Sequence, residues 1–160
     1  MNGVLIIDKV AGPTSHDVVA KVRKILKIKK VGHTGTLDPA ATGVLPLVLG
    51  KGTKLARYLT GQSKAYRATI ELGKTTTTLD RDGDIVRERP VNTSVDELIA
   101  AVESFVGDIE QIPPMYSAKK IDGKRLYELA RKGVEVEREP KKVKIYGIDV
   151  VNTDLPEFTL

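Results

Sequence analysis

The stretch KVGHTGTLDPAATGVLPLVLG, Lys30 to Gly50, holds one acidic side chain, Asp38, among glycines and threonines and ahead of an apolar run. A lone carboxylate in such a loop can act as a nucleophile or as a general base. It can also be a plain turn residue, because Asp accepts backbone hydrogen bonds and Pro39 fixes the next backbone dihedral. Pattern alone favours the turn. Gly32, Gly35 and Gly43 permit close approach of another backbone, yet the loop lacks the Walker spacing and the Lys-Ser/Thr ending of a nucleotide-binding P-loop. His33 could be a base, a metal ligand or a structural histidine. Its one fellow, His16, leaves too few nitrogen ligands for a zinc site.

Two further segments invite chemistry. DRDGDIV, Asp80 to Val86, would need Gly at its sixth position and Glu at its twelfth to bind calcium as an EF-hand; Ile85 and Val91 stand there instead. It reads as a hairpin turn. Between Met115 and Lys132, Lys and Arg interleave with Tyr116 and Tyr127, a composition that suits RNA contact, with cations for phosphates and rings for exposed bases. An amphipathic surface with snorkelling stems gives the same composition.

The elements that must position these residues follow from periodicity. GVLIIDK reads as a buried strand bounded by the AGP turn, Ala11 to Pro13. A helix follows, with Thr14 or Ser15 as its cap and Asp17 in its first turn. Val18, Val19, Val22, Ile25 and Leu26 form its apolar face. Lys21, Lys24 and Lys27 lie away from that face, either as a solvated surface or as a second RNA contact. The run GVLPLVLG is interrupted by Pro46. GTKLARYL reads as a short helix with Thr53 as a possible cap. In KAYRATIEL the alternation places Tyr66, Ala68, Ile70 and Leu72 on one face of a strand. Ser94 and Glu97 make a capping box for a helix that Gly107 is placed to end. A short helix is expected around Leu126 to Ala130, and KKVKIYGIDVV and EFTL read as strands.

Composition sets the frame. The 160 residues, with 41 % hydrophobic and 29 % charged side chains, suit one soluble α+β domain. Twenty-six Lys and Arg against 21 Asp and Glu give a net +5, a mild pull toward a polyanion. The absence of cysteine excludes disulfides and thiolate metal sites. There is no signal-peptide pattern and no apolar run of membrane-spanning length, so a cytoplasmic location is expected.

In this order, GVLIIDKVAGPTSHDVV, VGHTGTLDPAATGVLPLVLG, KAYRATIELG and QIPPMYSAKKIDGKRLYELAR resemble segments of the TruB family of tRNA pseudouridine synthases, and together they span nearly the whole chain. The resemblance implies a mixed, largely antiparallel sheet flanked by helices, and isomerisation of a T-loop uridine of tRNA after the base is flipped out. Asp38 matches the family's catalytic aspartate. Tyr66 matches the tyrosine that packs on the target uracil, and His33 the histidine that holds the flipped-out state. Lys9, Lys64, Arg67, Tyr116, Lys119, Lys120, Lys124 and Arg125 are the expected RNA contacts. The domain is expected to cover 1–160, with an RNA-closing insertion around 112–142 and without the family's C-terminal RNA-binding domain. No metal or organic cofactor, no membrane and no protein partner is implied, and a monomer acting on tRNA is expected.

Two departures stand out. Lys9-Val10 replaces the family's usual Lys-Pro, a local change in turn stiffness. The sequence also stops before the KGTYIR-like segment whose arginine pairs with the catalytic aspartate. The 160 residues alone are therefore expected to bind RNA weakly and to turn over poorly.

Overall fold

The computed structural model describes residues 1–115, 120–121, 124–125, 134 and 136–160, and divides the chain into two compact units, Met1–Ala65 and Tyr66–Leu160.

The first unit is built from β1 (Gly3–Lys9), α1 (Ser15–Leu26), β2 (Val31–His33), β3 (Gly43–Leu49), a 3-10 segment (Gly50–Leu55) and α2 (Ala56–Leu59). β3 is the central strand, antiparallel to both β1 and β2. Leu45, Leu47 and Leu49 of β3, Val31 of β2 and Val19 and Val22 of α1 form the core, with Leu5, Ile7, Leu26 and Leu37 packed against it. Each of the fully buried side chains contributes about 1.5–3 kcal/mol by leaving water. Ile25, expected on the apolar face of α1, is exposed, because it lies at the edge of the stripe that Val19, Val22 and Leu26 define at helical spacing. Thr53 caps nothing; its hydroxyl donates to the Gly50 carbonyl at 2.8 Å, and the 3-10 segment starts without a side-chain cap.

A proline in a central strand removes a ladder donor, and here its position has a clear effect. β2 pairs residue by residue from Val31↔Leu49 to His33↔Leu47 and stops there. The next site on β3 is Pro46, which has no N–H to give. Its carbonyl accepts one closing bond from the Thr34 N–H at 3.1 Å, and the chain leaves the sheet as the loop that carries Asp38.

The second unit contains β4 (Thr69–Glu71), β5 (Lys74–Thr76), β6 (Ile85–Glu88), α3 (Val95–Glu103), β7 (Gly107–Gln111), β8 (Lys120–Ile121), β9 (Lys124–Arg125), β10 (Lys141–Ile145), β11 (Asn152–Asp154) and β12 (Glu157–Thr159). They form small sheets, β11-β12-β4, β10-β7, β5-β6 and β8-β9. Every pairing among the described residues is antiparallel, and the fold is α+β. Leu98 and Val102 of α3 bury against Phe158 of β12, with Leu72, Ile148, Val150 and Leu155 around them. The DRDGDIV segment is the turn of the β5-β6 hairpin. Ser94 and Glu97 make the expected capping box.

Three boundaries differ from expectation. α3 ends at Glu103, and Gly107 opens β7 instead of ending the helix. Only the first five residues of KKVKIYGIDVV are strand. The KAYRATIEL strand begins at Thr69, with Glu71–Thr69 paired to Glu157–Thr159 of β12 and Ala68 exchanging backbone bonds with Leu160 at 3.2 and 2.9 Å. The helix expected around Leu126 to Ala130 lies outside the described residues.

Candidate active site

Asp38 sits between β2 and β3, and the backbone on both sides of it is tied down by groups distant in sequence. On one side is Ser15, the first residue of α1 and 0 % exposed. Its hydroxyl accepts from the Leu37 N–H at 2.9 Å and donates to the Leu37 carbonyl at 3.1 Å. The serine thus acts as a one-residue strand partner for the residue preceding Asp38, while the Leu37 side chain packs on the core.

On the other side is Lys9. As the last residue of β1 it follows Leu5 and Ile7 on the inward face, and it is 1 % exposed. The ammonium donates to the carbonyls of Ala41 at 2.6 Å, Pro39 at 3.1 Å and Val10 at 3.1 Å. Three donors meet three acceptors, which makes the buried charge tolerable. Gly12 adds an N–H to the Pro39 carbonyl at 2.9 Å, with a φ of +106° that a side chain rarely adopts. Lys9 is therefore placed differently from the expected surface contact: its ammonium holds the loop.

The turn itself is closed by main chain. The Ala41 N–H donates to the Asp38 carbonyl at 3.1 Å, with Pro39 at the position that suits its fixed φ. The Asp38 side chain is exposed and has no hydrogen bond or ion pair among the described residues. Turn formation does not employ the carboxylate, which leaves it available for chemistry.

His33, half-buried at the end of β2, lies within 2.9 Å of the Gly35 carbonyl through Nδ1. A carbonyl only accepts, so Nδ1 carries the proton and Nε2 is the acceptor nitrogen. The His16 ring meets it edge to face, with centroids 5.2 Å apart. Lys64 donates to the Thr60 and Gln62 carbonyls at 3.0 and 2.9 Å. Its stem crosses Gly35, where a Cβ would lie 3.5 Å from the lysine Cε. In the second unit Tyr66 is 66 % exposed, ahead of β4, and Arg67 is exposed beside it. Tyr116 and Lys119 lie outside the described residues, and for Lys120, Lys124 and Arg125 only the backbone pairing of β8 with β9 is described.

Ser15 and the anchoring role of Lys9 escaped the sequence reading, although both left a signal. Lys9 continues the inward alternation of Leu5 and Ile7. Ser15 lies one turn before Val19 on the buried stripe, where an exposed cap would not fall.

The capping box that starts α1 also bears on the loop. The Thr14 hydroxyl hydrogen-bonds the Asp17 carboxylate at 2.6 Å, and the Thr14 N–H donates to it at 2.8 Å. Chiefly through these bonds, with His16 assisting, the Asp17 carboxyl is held below its ordinary value of 3.8. A folded-state value below the unfolded one gives stability that is present above pH 3.8 and lost as pH falls through the folded value. The Tm gap between the parent chain and Asp17→Asn should therefore narrow as pH is lowered from 5 toward 2, about the carboxylate range. A gap that stays constant would remove Asp17 from the cap's pH response.

The first unit thus presents one exposed carboxylate, Asp38, on a loop clamped from both sides, in an antiparallel α+β fold. Residues 23–160 match the TruB family pseudouridylate synthase (N terminal domain), and the chain belongs to this family. It is 55 % identical over 156 residues to the tRNA pseudouridine synthase B of Clostridium kluyveri, covering 98 % of the chain and 54 % of that protein. It is 58 % identical over 151 residues to that of Alkaliphilus oremlandii, covering 94 % and 50 %. Among solved structures, it resembles a chain of a Cbf5-Nop10-Gar1 complex at 31 % identity and a TM-score of 0.70, covering 98 % of this chain and 37 % of that one. A chain of an H/ACA RNP bound to a substrate RNA containing 2'-deoxyuridine gives 28 % and 0.67, covering 98 % and 36 %. The chain spans about half the length of the curated relatives it matches.

Proposed function

We propose that this chain carries the catalytic aspartate of a tRNA pseudouridine synthase that isomerises a uridine in the T-loop. In that reaction the C1′–N1 glycosidic bond breaks, the uracil turns, and C1′ bonds to C5. The proton leaving C5 is matched by one gained at N1, so the product is an isomer and no outside group is added. The chemistry asks for one anionic group at the extruded nucleotide, and Asp38 is that group. The observation that carries the reading is its unpartnered, exposed carboxylate on a loop clamped from both sides. The names of the curated relatives point the same way.

His33 holds the flipped-out state through Nε2. Tyr66 stacks on the uracil, and its hydroxyl takes part in the proton transfer at C5. Lys64, Arg67, Tyr116, Lys119, Lys120, Lys124 and Arg125 contact the RNA. On this reading the protein works in the cytoplasm, as a monomer on tRNA. Among the described residues no helix is long and apolar enough to cross a membrane.

The test is tritium release from a T-arm hairpin labelled at uracil C5, using the chain alone and the chain joined to the remainder of the Clostridium kluyveri sequence. Release by the joined form supports the reading. Binding without release by either form would make the protein an RNA-binding module. Tyr66→Phe keeps the ring and removes the hydroxyl. It is expected to slow release by about 10²-fold or more, as loss of a proton-transfer group does, with little change in hairpin affinity. An unchanged rate would restrict Tyr66 to stacking.

A further inference from the structure

Net positive charge is confined to one part of this chain. Residues 1–65 hold eleven Lys and Arg against three Asp, whereas residues 66–160 hold fifteen against eighteen Asp and Glu. Within the first unit, six cations fall between Lys21 and Lys30, and no acid occurs from Val18 to Leu37. Arg23, Lys24, Lys27 and Lys29, with Ala20 and Ile28, line an open groove of ≈ 630 Å³ at the C-terminal end of α1.

Compensation of the helix dipole explains only part of this. The dipole amounts to about half a charge and fades within the last turn, so one or two cations satisfy it. Arg23, in the last turn, is already engaged, donating through Nη2 to the Val31 carbonyl at 2.7 Å. Lys24, Lys27 and Lys29 are exposed and have no hydrogen bond or ion pair among the described residues. Lys27 moreover occupies the left-handed cap, at φ 52°, where glycine is the ordinary choice. A lysine there gives up backbone ease for a charge.

We infer that the groove formed by Lys24, Lys27 and Lys29 is a docking surface for the phosphodiester backbone of RNA lying outside the loop presented to Asp38. The inference rests on the RNA reading above. α1 starts at Ser15, which grips Leu37 next to Asp38. Its twelve residues then carry the chain about 18 Å away at 1.5 Å per residue. RNA held at that end lies remote from the target uridine, so the contact adds affinity without reading sequence.

The test measures binding of this chain to an unmodified tRNA transcript and to the T-arm hairpin excised from it, across a series of KCl concentrations. The variant is K24A/K27G/K29A; the glycine relieves the left-handed cap, so its Tm should not fall through position 27. The variant is expected to bind the transcript at least about 10-fold more weakly and to lose about two units of the slope of log K against log salt, near 0.7–0.9 per phosphate contact. Hairpin affinity should change by less than about 2-fold, as is usual for surface sites outside an interface. Unchanged transcript affinity and slope overturn the inference. So does an equal loss on hairpin and transcript, which would assign these lysines to the target loop. If the parent chain binds neither RNA in a salt-dependent way, the RNA reading itself falls. If it binds both and the variant matches it, only the groove falls.

Discussion

On the proposed reading, Asp38→Asn in the joined form is expected to lower pseudouridine formation by at least about 10³-fold, the scale on which removal of a reacting side chain acts, while fold and RNA affinity stay close to those of the parent. The two halves of this expectation have separate grounds. The carboxamide has nearly the shape of the carboxylate but neither its charge nor its nucleophilicity, so chemistry at the sugar or base fails. The side chain has no partner to lose, since the turn is closed by the Asp38 carbonyl and the loop by Lys9 and Ser15. Stability should therefore move by no more than about 0.5 kcal/mol, as for an uninvolved surface site. Tritium release, hairpin binding and thermal melting of the same variant decide the matter. Retained release sinks the catalytic assignment, and a large drop in Tm would return Asp38 to a structural role.

The second large effect is at Lys9. Lys9→Met keeps an unbranched apolar stem of similar bulk and removes the ammonium. The Ala41 and Val10 carbonyls lose the donor they share with Pro39, and only Pro39 keeps another, the Gly12 N–H. These acceptors are part-buried, so each one left without a donor costs toward the lower end of about 1–3 kcal/mol. Relief from burying a charge offsets part of this, so the net destabilisation is expected to be about 1–2 kcal/mol, read as a lower urea midpoint at unchanged slope. Lys9→Arg should not restore it. A guanidinium spreads its donors over a planar fork, whereas these three carbonyls converge on one nitrogen. A midpoint equal to the parent's would show that the loop stands without the ammonium.

These two residues also show how far the sequence could be read. The inward alternation of Leu5, Ile7 and Lys9, the helical stripe of α1 and the capping box at Ser94 are local patterns, and they describe much of the first sheet and both longer helices. The clamp is not local. Ser15 reaches Leu37 across 22 positions, and Lys9 reaches Ala41 across 32, separations that no periodicity records. Asp38 is instructive because the turn reading holds without any use of its side chain. The residue does make a turn, but through its carbonyl, and a sequence cannot say which oxygen of an aspartate closes a turn. At Tyr66 the alternation is real, yet the backbone bonds to the facing strand run from Glu71 only as far as Ala68, which exchanges two bonds with Leu160.

Pro46 bears on a different hazard, misalignment. β3 reads GVLPLVL, and to a three-residue neighbour such as β2 its apolar positions would be near-equivalent berths two residues apart. A proline within the row makes the berths unequal, since sliding toward Gly43 would bring β2 opposite a residue that cannot donate. The alignment ending at His33↔Leu47 is then the one with the most bonds. The protein forgoes a single hydrogen bond and in return the histidine and the aspartate keep a constant spacing along the sheet edge, molecule after molecule. In this sense the residue least suited to a central strand serves as the zero mark from which the loop carrying Asp38 is measured.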